Sequence, residues 1–167
     1  MQRRLVLLRH AEAAFAPVDA DRPLTAGGAE HAAAIGRWLT AEGLAPEWVL
    51  VSPARRAAQT WERAGAQLAS APPPVVDERI YDNTVDALLA VLQEVPAAVG
   101  TAVLVGHNPS VGELARSLDD GAGDAAAVSD LTRGYPAGGI AVFDLPVPFD
   151  ALAAGMARLT AFAVPRG

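Results

Sequence analysis

Four short apolar runs punctuate the chain: Leu5-Val6-Leu7-Leu8, Trp48-Val49-Leu50-Val51, Val103-Leu104-Val105 and Ile140-Ala141-Val142-Phe143. Each is continuous rather than alternating and rich in branched side chains, the pattern of strands buried on both faces. A fifth segment, Leu159 to Val164, alternates weakly and predicts an edge strand. Between these runs the apolar spacing becomes helical. Thr25 is placed to cap a helix reaching about Glu42, with Ala32, Ile35 and Leu39 on one face. Ser52-Pro53 supplies a cap and first-turn pair for a helix to about Ala69, and Asn108-Pro109 repeats the arrangement for one to about Leu118. Val85 to Glu94 predicts a further helix. Strands alternating with helices imply an α/β three-layer sandwich, a mostly parallel central sheet with helices on both faces. Ser70 to Pro74 reads as an extended connector, and the Gly-, Ala- and Asp-rich stretch Asp119 to Asp130 as a surface loop or short helix. Neither is long enough to separate domains, so residues 1–167 are expected to form one domain around one sheet.

Composition narrows the function. The 167 residues are 51% hydrophobic and 19% charged, a globular balance rather than a disordered one. Net charge is −6, and all 13 basic residues are arginine. An acidic chain without a basic run is a poor partner for nucleic acid or an anionic membrane. The lack of lysine excludes Schiff-base chemistry and a lysine-bearing phosphate loop. The lack of cysteine excludes disulfides, thiolate metal sites and cysteine nucleophiles. The run Leu5 to Leu8 is too short for a signal peptide, and nothing approaches the roughly 20 apolar residues of a membrane span. A soluble, cytoplasmic domain is expected.

The chemistry concentrates behind two strands. His10 directly follows the first predicted strand and His107 the third. In a parallel sheet both emerge at the carboxyl edge, where open α/β sheets bind ligands. A single such histidine would read as an ordinary loop or core imidazole; two at equivalent strand ends do not. His31 keeps the ordinary reading, flanking the apolar stripe of a helix. Arg9 precedes His10, and Arg55 and Arg56 open the helix after Ser52-Pro53, where free amides and the helix dipole favour an anion. With Ala57, Trp61, Ala64 and Leu68 facing inward, the helical period turns Arg55 to solvent and leaves Arg56 leaning along the sheet edge. Two imidazoles and two guanidiniums suit a tetrahedral oxyanion: arginine forks match phosphate oxygens, and neutral imidazole is a competent nucleophile. No His-x-x-x-His or comparable spacing suggests a metal site, and no cofactor is called for.

Arg9-His10-Ala11-Glu12 resembles the Arg-His-Gly signature of the histidine phosphatase superfamily, which includes phosphoglycerate mutase-like enzymes. Arg22-Pro23-Leu24-Thr25 with Gly28, then Ser52-Pro53-Ala54-Arg55-Arg56-Ala57-Ala58-Gln59-Thr60, resemble its next two landmarks, and Val105-Gly106-His107-Asn108-Pro109 its second-histidine block. The resemblance implies a phosphoglycerate mutase-like fold and a metal-independent reaction in which His10 becomes phosphohistidine. It implies a phosphate pocket of Arg9, His10, Arg56 and His107. The family's general acid falls between the arginine helix and the second-histidine strand, where Glu78 is the nearest match and Asp82 the second. Ala11 stands where the family usually has glycine. The short interval between Arg56 and His107 leaves room for a minimal lid only, and the short chain, Ala11 and Arg22-Pro23-Leu24-Thr25 look most similar to the small SixA-type phosphohistidine phosphatases.

A minimal lid implies an open site that a phosphorylated protein, such as a histidine-phosphotransfer domain, reaches as readily as a small phosphorylated metabolite. A phosphoramidate also leaves well once its imidazole is protonated, which lessens the need for a strong general acid. Protein phosphohistidine is therefore the expected substrate. The alternatives are a phosphatase or mutase acting on a small metabolite, and a noncatalytic phosphate-binding module.

Overall fold

Successive side chains of a strand point to opposite faces, and this alternation divides the core of the protein in two. The computed structural model describes residues 1–167. Its strands are β1 (Arg3–Arg9), β2 (Trp48–Val51), β3 (Val75–Val76), β4 (Thr101–Gly106), β5 (Ile140–Leu145) and β6 (Arg158–Ala163). They form one sheet in the order β3-β2-β4-β1-β5-β6. Its helices are α1 (Ala26–Ala41), α2 (Arg55–Gly65), α3 (Val85–Gln93), α4 (Ser110–Leu118) and α5 (Ala125–Arg133). Leu5, Leu7, Leu50, Leu104 and Phe143 pack on one face with α3, α4 and α5. Val6, Leu8, Val49, Val51, Val103 and Val105 pack on the other with α1 and α2. The three layers match the expected sandwich.

The sheet is mixed but mainly parallel. β1 pairs with β4, and β2 with β4 and β3, in parallel; β5 pairs antiparallel with β1 and β6. β6 is the expected edge strand. β3 is only two exposed residues, too short to carry a hydrophobic pattern of its own. No helix is long and apolar enough to cross a membrane.

Helix boundaries follow local chemistry, with differences from the sequence reading at α2 and at α4, whose capping position is Pro109 rather than Asn108. Thr25 caps α1 through Gly28 N–H as expected, at 2.9 Å. Ser52 does not cap α2; the capping position is Ala54, and the Ser52 hydroxyl is engaged elsewhere. α2 ends at Gly65, short of Ala69, because the chain tightens there into turns with Gln67 N–H bonded to the Ala64 carbonyl and Leu68 N–H to that of Gly65. The stretch read as a loop or short helix contributes the first residues of α5, capped by the Asp124 carboxylate.

The topology places the functional edge. β1 leads through α1 to β2 on one side, whereas β4 leads through α4 and α5 to β5 on the other. The chain therefore diverges from the tips of β1 and β4, which lie side by side with Arg9 opposite Gly106. A crevice at such a divergence is where open α/β sheets hold ligands.

The closest helix contact yields a stability test. Gly36 of α1 lies against α2, where an added Cβ would run into the carbonyl oxygen of Ala64. Helix propensity alone favours Gly36→Ala by about 1 kcal/mol. Overpacking against backbone instead costs about 1–3 kcal/mol. Urea unfolding of Gly36→Ala is expected to show net destabilisation; a variant as stable as wild type would contradict the close approach.

Candidate active site

Two imidazoles meet at the crevice. His10 follows β1 and anchors its backbone N–H on the Gly106 carbonyl of β4, at 3.0 Å. His107 follows β4, and the two rings lie 5.2 Å apart, tilted by 57°. His10 Nδ1 lies 2.7 Å from the Ala11 carbonyl oxygen. A carbonyl only accepts, so Nδ1 carries the proton and Nε2 presents a lone pair. His107 Nε2 lies 2.8 Å from the Ser52 hydroxyl, which also accepts from Ala54 N–H. No other acceptor faces that hydroxyl, so its proton goes to Nε2 and the imidazole proton of His107 sits on Nδ1. Nδ1 is buried and unpartnered. Burial is the main force lowering both basicities, to about 4 for His10 and about 3 for His107; nearby Arg56 and Arg9 depress both further. Neutral imidazoles in a cationic crevice are the result.

Three guanidiniums surround them. Arg9 Nη1 donates to the Tyr135 carbonyl at 2.8 Å, and burial lowers its basicity. Arg56 is buried in the first turn of α2 while its neighbour Arg55 is exposed, as the helical period required. Arg22 reaches the same crevice from the β1–α1 connection, its Nε held by the Ala14 carbonyl. The cleft encloses about 360 Å³ and is lined by Arg9, His10, Asp19, Arg22, Arg56, Tyr81, Asn83, His107 and Asn108. Buried Nε atoms of Arg9 and Arg56 lack partners, as does His107 Nδ1. Three cleft residues thus hold unspent donors, the complement of an oxyanion. No group of three or more His, Cys, Asp or Glu side chains is arranged to hold a metal ion.

The remaining motif residues act as struts. Thr60 Oγ1 accepts from Ala11 N–H and donates to the Arg56 carbonyl, tying the His10 turn to α2. Gln59 accepts from Leu24 N–H. Glu12 accepts the Thr25 hydroxyl with its carboxylate and the Thr25 N–H with its carbonyl. Gly28 leaves room for that carbonyl, which any Cβ would strike. The strand-end turn therefore rests on both helices of one layer.

Arg9, His10, Arg56 and His107 are brought together; Glu78 and Asp82 are not. Glu78 opens a one-turn helix (Glu78–Ile80) that buries Ile80, leaving Glu78 exposed and outside the cleft lining; Asp82 is likewise exposed. The carboxylate in the cleft is Asp19. It accepts from Arg56 Nη2 at 3.1 Å and from the Tyr81 hydroxyl, while its carbonyl accepts Arg56 Nη1 at 2.8 Å. The Tyr81 hydroxyl is the main force holding its acidity near 2, with Arg56 and Arg22 adding to it. Asn83, at φ 61°, joins the Asn108 carbonyl to Ser110 N–H and so braces the turn after His107. Sequence reasoning missed Asp19, Tyr81 and Asn83. An aspartate–asparagine turn signal around residues 82–83 marks the bend, but nothing local separates Asp19 from Asp21.

Comparison with known proteins supplies the family. The family model for the histidine phosphatase superfamily (branch 1) matches residues 5–98. The chain belongs to the histidine phosphatase superfamily. It is 34% identical to an uncharacterized protein of Mycobacterium tuberculosis, over 95% of this chain and the whole of that one. It is 33% identical to the phosphohistidine phosphatase SixA of Escherichia coli, over 71% of this chain and 75% of that protein. Among solved structures, a SixA-type phosphohistidine phosphatase candidate from Nakamurella multipartitia superposes with a TM-score of 0.88 at 32% identity, covering 99% and 97% of the two chains. The protein histidine phosphatase SixA complexed with tungstate gives 0.79 at 27%, covering 97% of each. The superfamily assignment makes this chain a phosphatase with a phosphoglycerate mutase-like α/β fold.

The buried imidazoles carry a direct test. A histidine whose basicity is lowered stays neutral above its folded value and charges only below it. In NMR titrations His10 and His107 should remain neutral from pH 7 down to about pH 5. A midpoint near the ordinary 6.5 for either ring would contradict the site as described.

Proposed function

We propose that this phosphatase hydrolyses phosphohistidine on proteins through a covalent phospho-His10 intermediate. The observation that carries the choice of substrate is the lining of the cleft: of nine residues, only Tyr81 is hydrophobic. Pockets for metabolites are predominantly apolar, with a few polar groups to orient the ligand. This cleft offers a grip for a phosphoryl group and almost none for the rest of a small molecule. Beside it, on the connection that supplies Asp19 and Arg22, Phe15 is 86% exposed and Val18 57%. Exposed apolar side chains around a polar cleft suit a protein surface.

In the first step His10 Nε2 attacks phosphorus, the P–N bond to the substrate imidazole breaks, and that imidazole, already protonated, leaves neutral. In the second, water attacks phospho-His10, the new P–N bond breaks, inorganic phosphate departs, and His10 returns to its neutral form. Arg9, Arg56 and Arg22 neutralise charge on the transferring group, and His107 Nδ1–H donates to one of its oxygens. This charge neutralisation takes the place of a metal, so a chelator is expected to leave turnover unchanged. Likeness to SixA proteins, one of them solved with the tetrahedral oxyanion tungstate, supports the reading. The cytoplasm is the compartment we assign to it.

A histidine-phosphotransfer domain phosphorylated on histidine should release inorganic phosphate on incubation with the enzyme. Arg56→Ala is expected to slow this by about 10²–10³-fold. Arg55→Ala, altering an exposed side chain, should change it by less than about twofold. Activity confined to small phosphate esters would overturn the substrate, and equal losses in the two variants would overturn the role of Arg56.

A further inference from the structure

Arg56 is the one cleft arginine whose two terminal nitrogens are both committed to a single residue. Nη1 donates to the Asp19 carbonyl at 2.8 Å and Nη2 to the Asp19 carboxylate at 3.1 Å. Its Nε is buried and has no partner. The outer fork of the guanidinium is therefore occupied from the cleft mouth, where the Asp19 side chain is half exposed, and the Nε edge is left over. Asp19 is itself tethered: Tyr81 donates to the same carboxylate oxygen that Arg56 engages, and Arg22 approaches the other at 3.4 Å. Tyr81 in turn sets its ring edge-on to His107, 5.7 Å away. One carboxylate thus links the β1–α1 connection, α2 and the turn before α3.

We infer that Asp19, held by Tyr81, is a positioning residue that clamps the outer fork of Arg56 and so aims its unpaired Nε edge at the transferring phosphoryl group. The inference rests on the proposed role of Arg56 in phosphoryl binding. A long arginine free to sample rotamers loses entropy when it binds; one already fixed by a bidentate partner does not. The clamp also answers the absence of Glu78 from the cleft. Asp19 remains ionised at working pH, held so by Tyr81 and Arg56, and supplies orientation where a protonated acid would supply a proton.

A double-mutant cycle on kcat/KM with the phosphorylated protein substrate tests this. Asp19→Ala should lower kcat/KM about tenfold in the wild-type background. In the Arg56→Ala background the same change should cost less than about twofold, because nothing remains to be aimed. Asp19→Asn keeps an acceptor for Arg56 and should recover part of the loss, and Tyr81→Phe should show a smaller loss that also disappears in Arg56→Ala. Equal Asp19→Ala factors in both backgrounds would overturn the clamp in favour of a general structural role. A rise in kcat/KM would overturn it too, showing that the carboxylate merely repels substrate. If Arg56→Ala itself has no effect, the phosphoryl-binding role of Arg56 fails first and takes the clamp with it.

Discussion

Parallel pairing of β1 with β4 is the constraint from which the site follows. It puts Arg9 opposite Gly106, so the residues that come next, His10 and His107, leave the sheet together with their rings 5.2 Å apart. Burial at that tip penalises the charged form of either ring, and the surrounding guanidiniums penalise it again. The result is a cationic crevice whose two imidazoles are neutral. One offers a lone pair at Nε2 and the other a buried donor at Nδ1. In the proposed reaction, the charge that holds the phosphoryl group is separated from the nucleophile that attacks it. Arginine makes the separation durable, because its guanidinium stays protonated where histidine does not.

The helices on one side of the sheet do more than cover it. α1 and α2 approach so closely at Gly36 that no side chain fits between them, and both bond to the turn that carries His10. Their packing and the position of the turn are one mechanical unit. The opposite side is held differently. Asn83 and Asn108 brace the turn after His107 through backbone groups, with Tyr135 bonded through its hydroxyl to Leu7 and through its carbonyl to Arg9. Tyr135 thus ties the two histidine-bearing strand ends to each other, and Asp19 joins α2 to Tyr81 across the cleft mouth.

Much of this was legible in the sequence, for physical reasons. Continuous apolar runs located β1, β2, β4 and β5, since strands buried on both faces tolerate nothing else. Thr25 marks a helix start because an unsatisfied N–H there needs an oxygen. The helical period alone separated buried Arg56 from exposed Arg55. What escaped depended on contacts remote in sequence. Ser52 reads as a helix cap until His107, at the end of a strand two strands later, claims its hydroxyl. Asp19 and Asp21 are indistinguishable until α2 delivers Arg56 to one of them. Glu78 sits in the expected interval, yet the turn spends its inward position on Ile80 and its cleft-facing one on Tyr81.

A neutral, correctly tautomeric His10 is valuable only if it takes the phosphoryl group. Rapid mixing of the enzyme with a radiolabelled phosphohistidine protein, an alkaline quench and peptide mapping measures that transfer directly. The account predicts a transient label on the peptide containing His10, stable to alkali and lost in acid, and none with His10→Ala. Turnover without any labelled enzyme, or label residing on another residue, would contradict it.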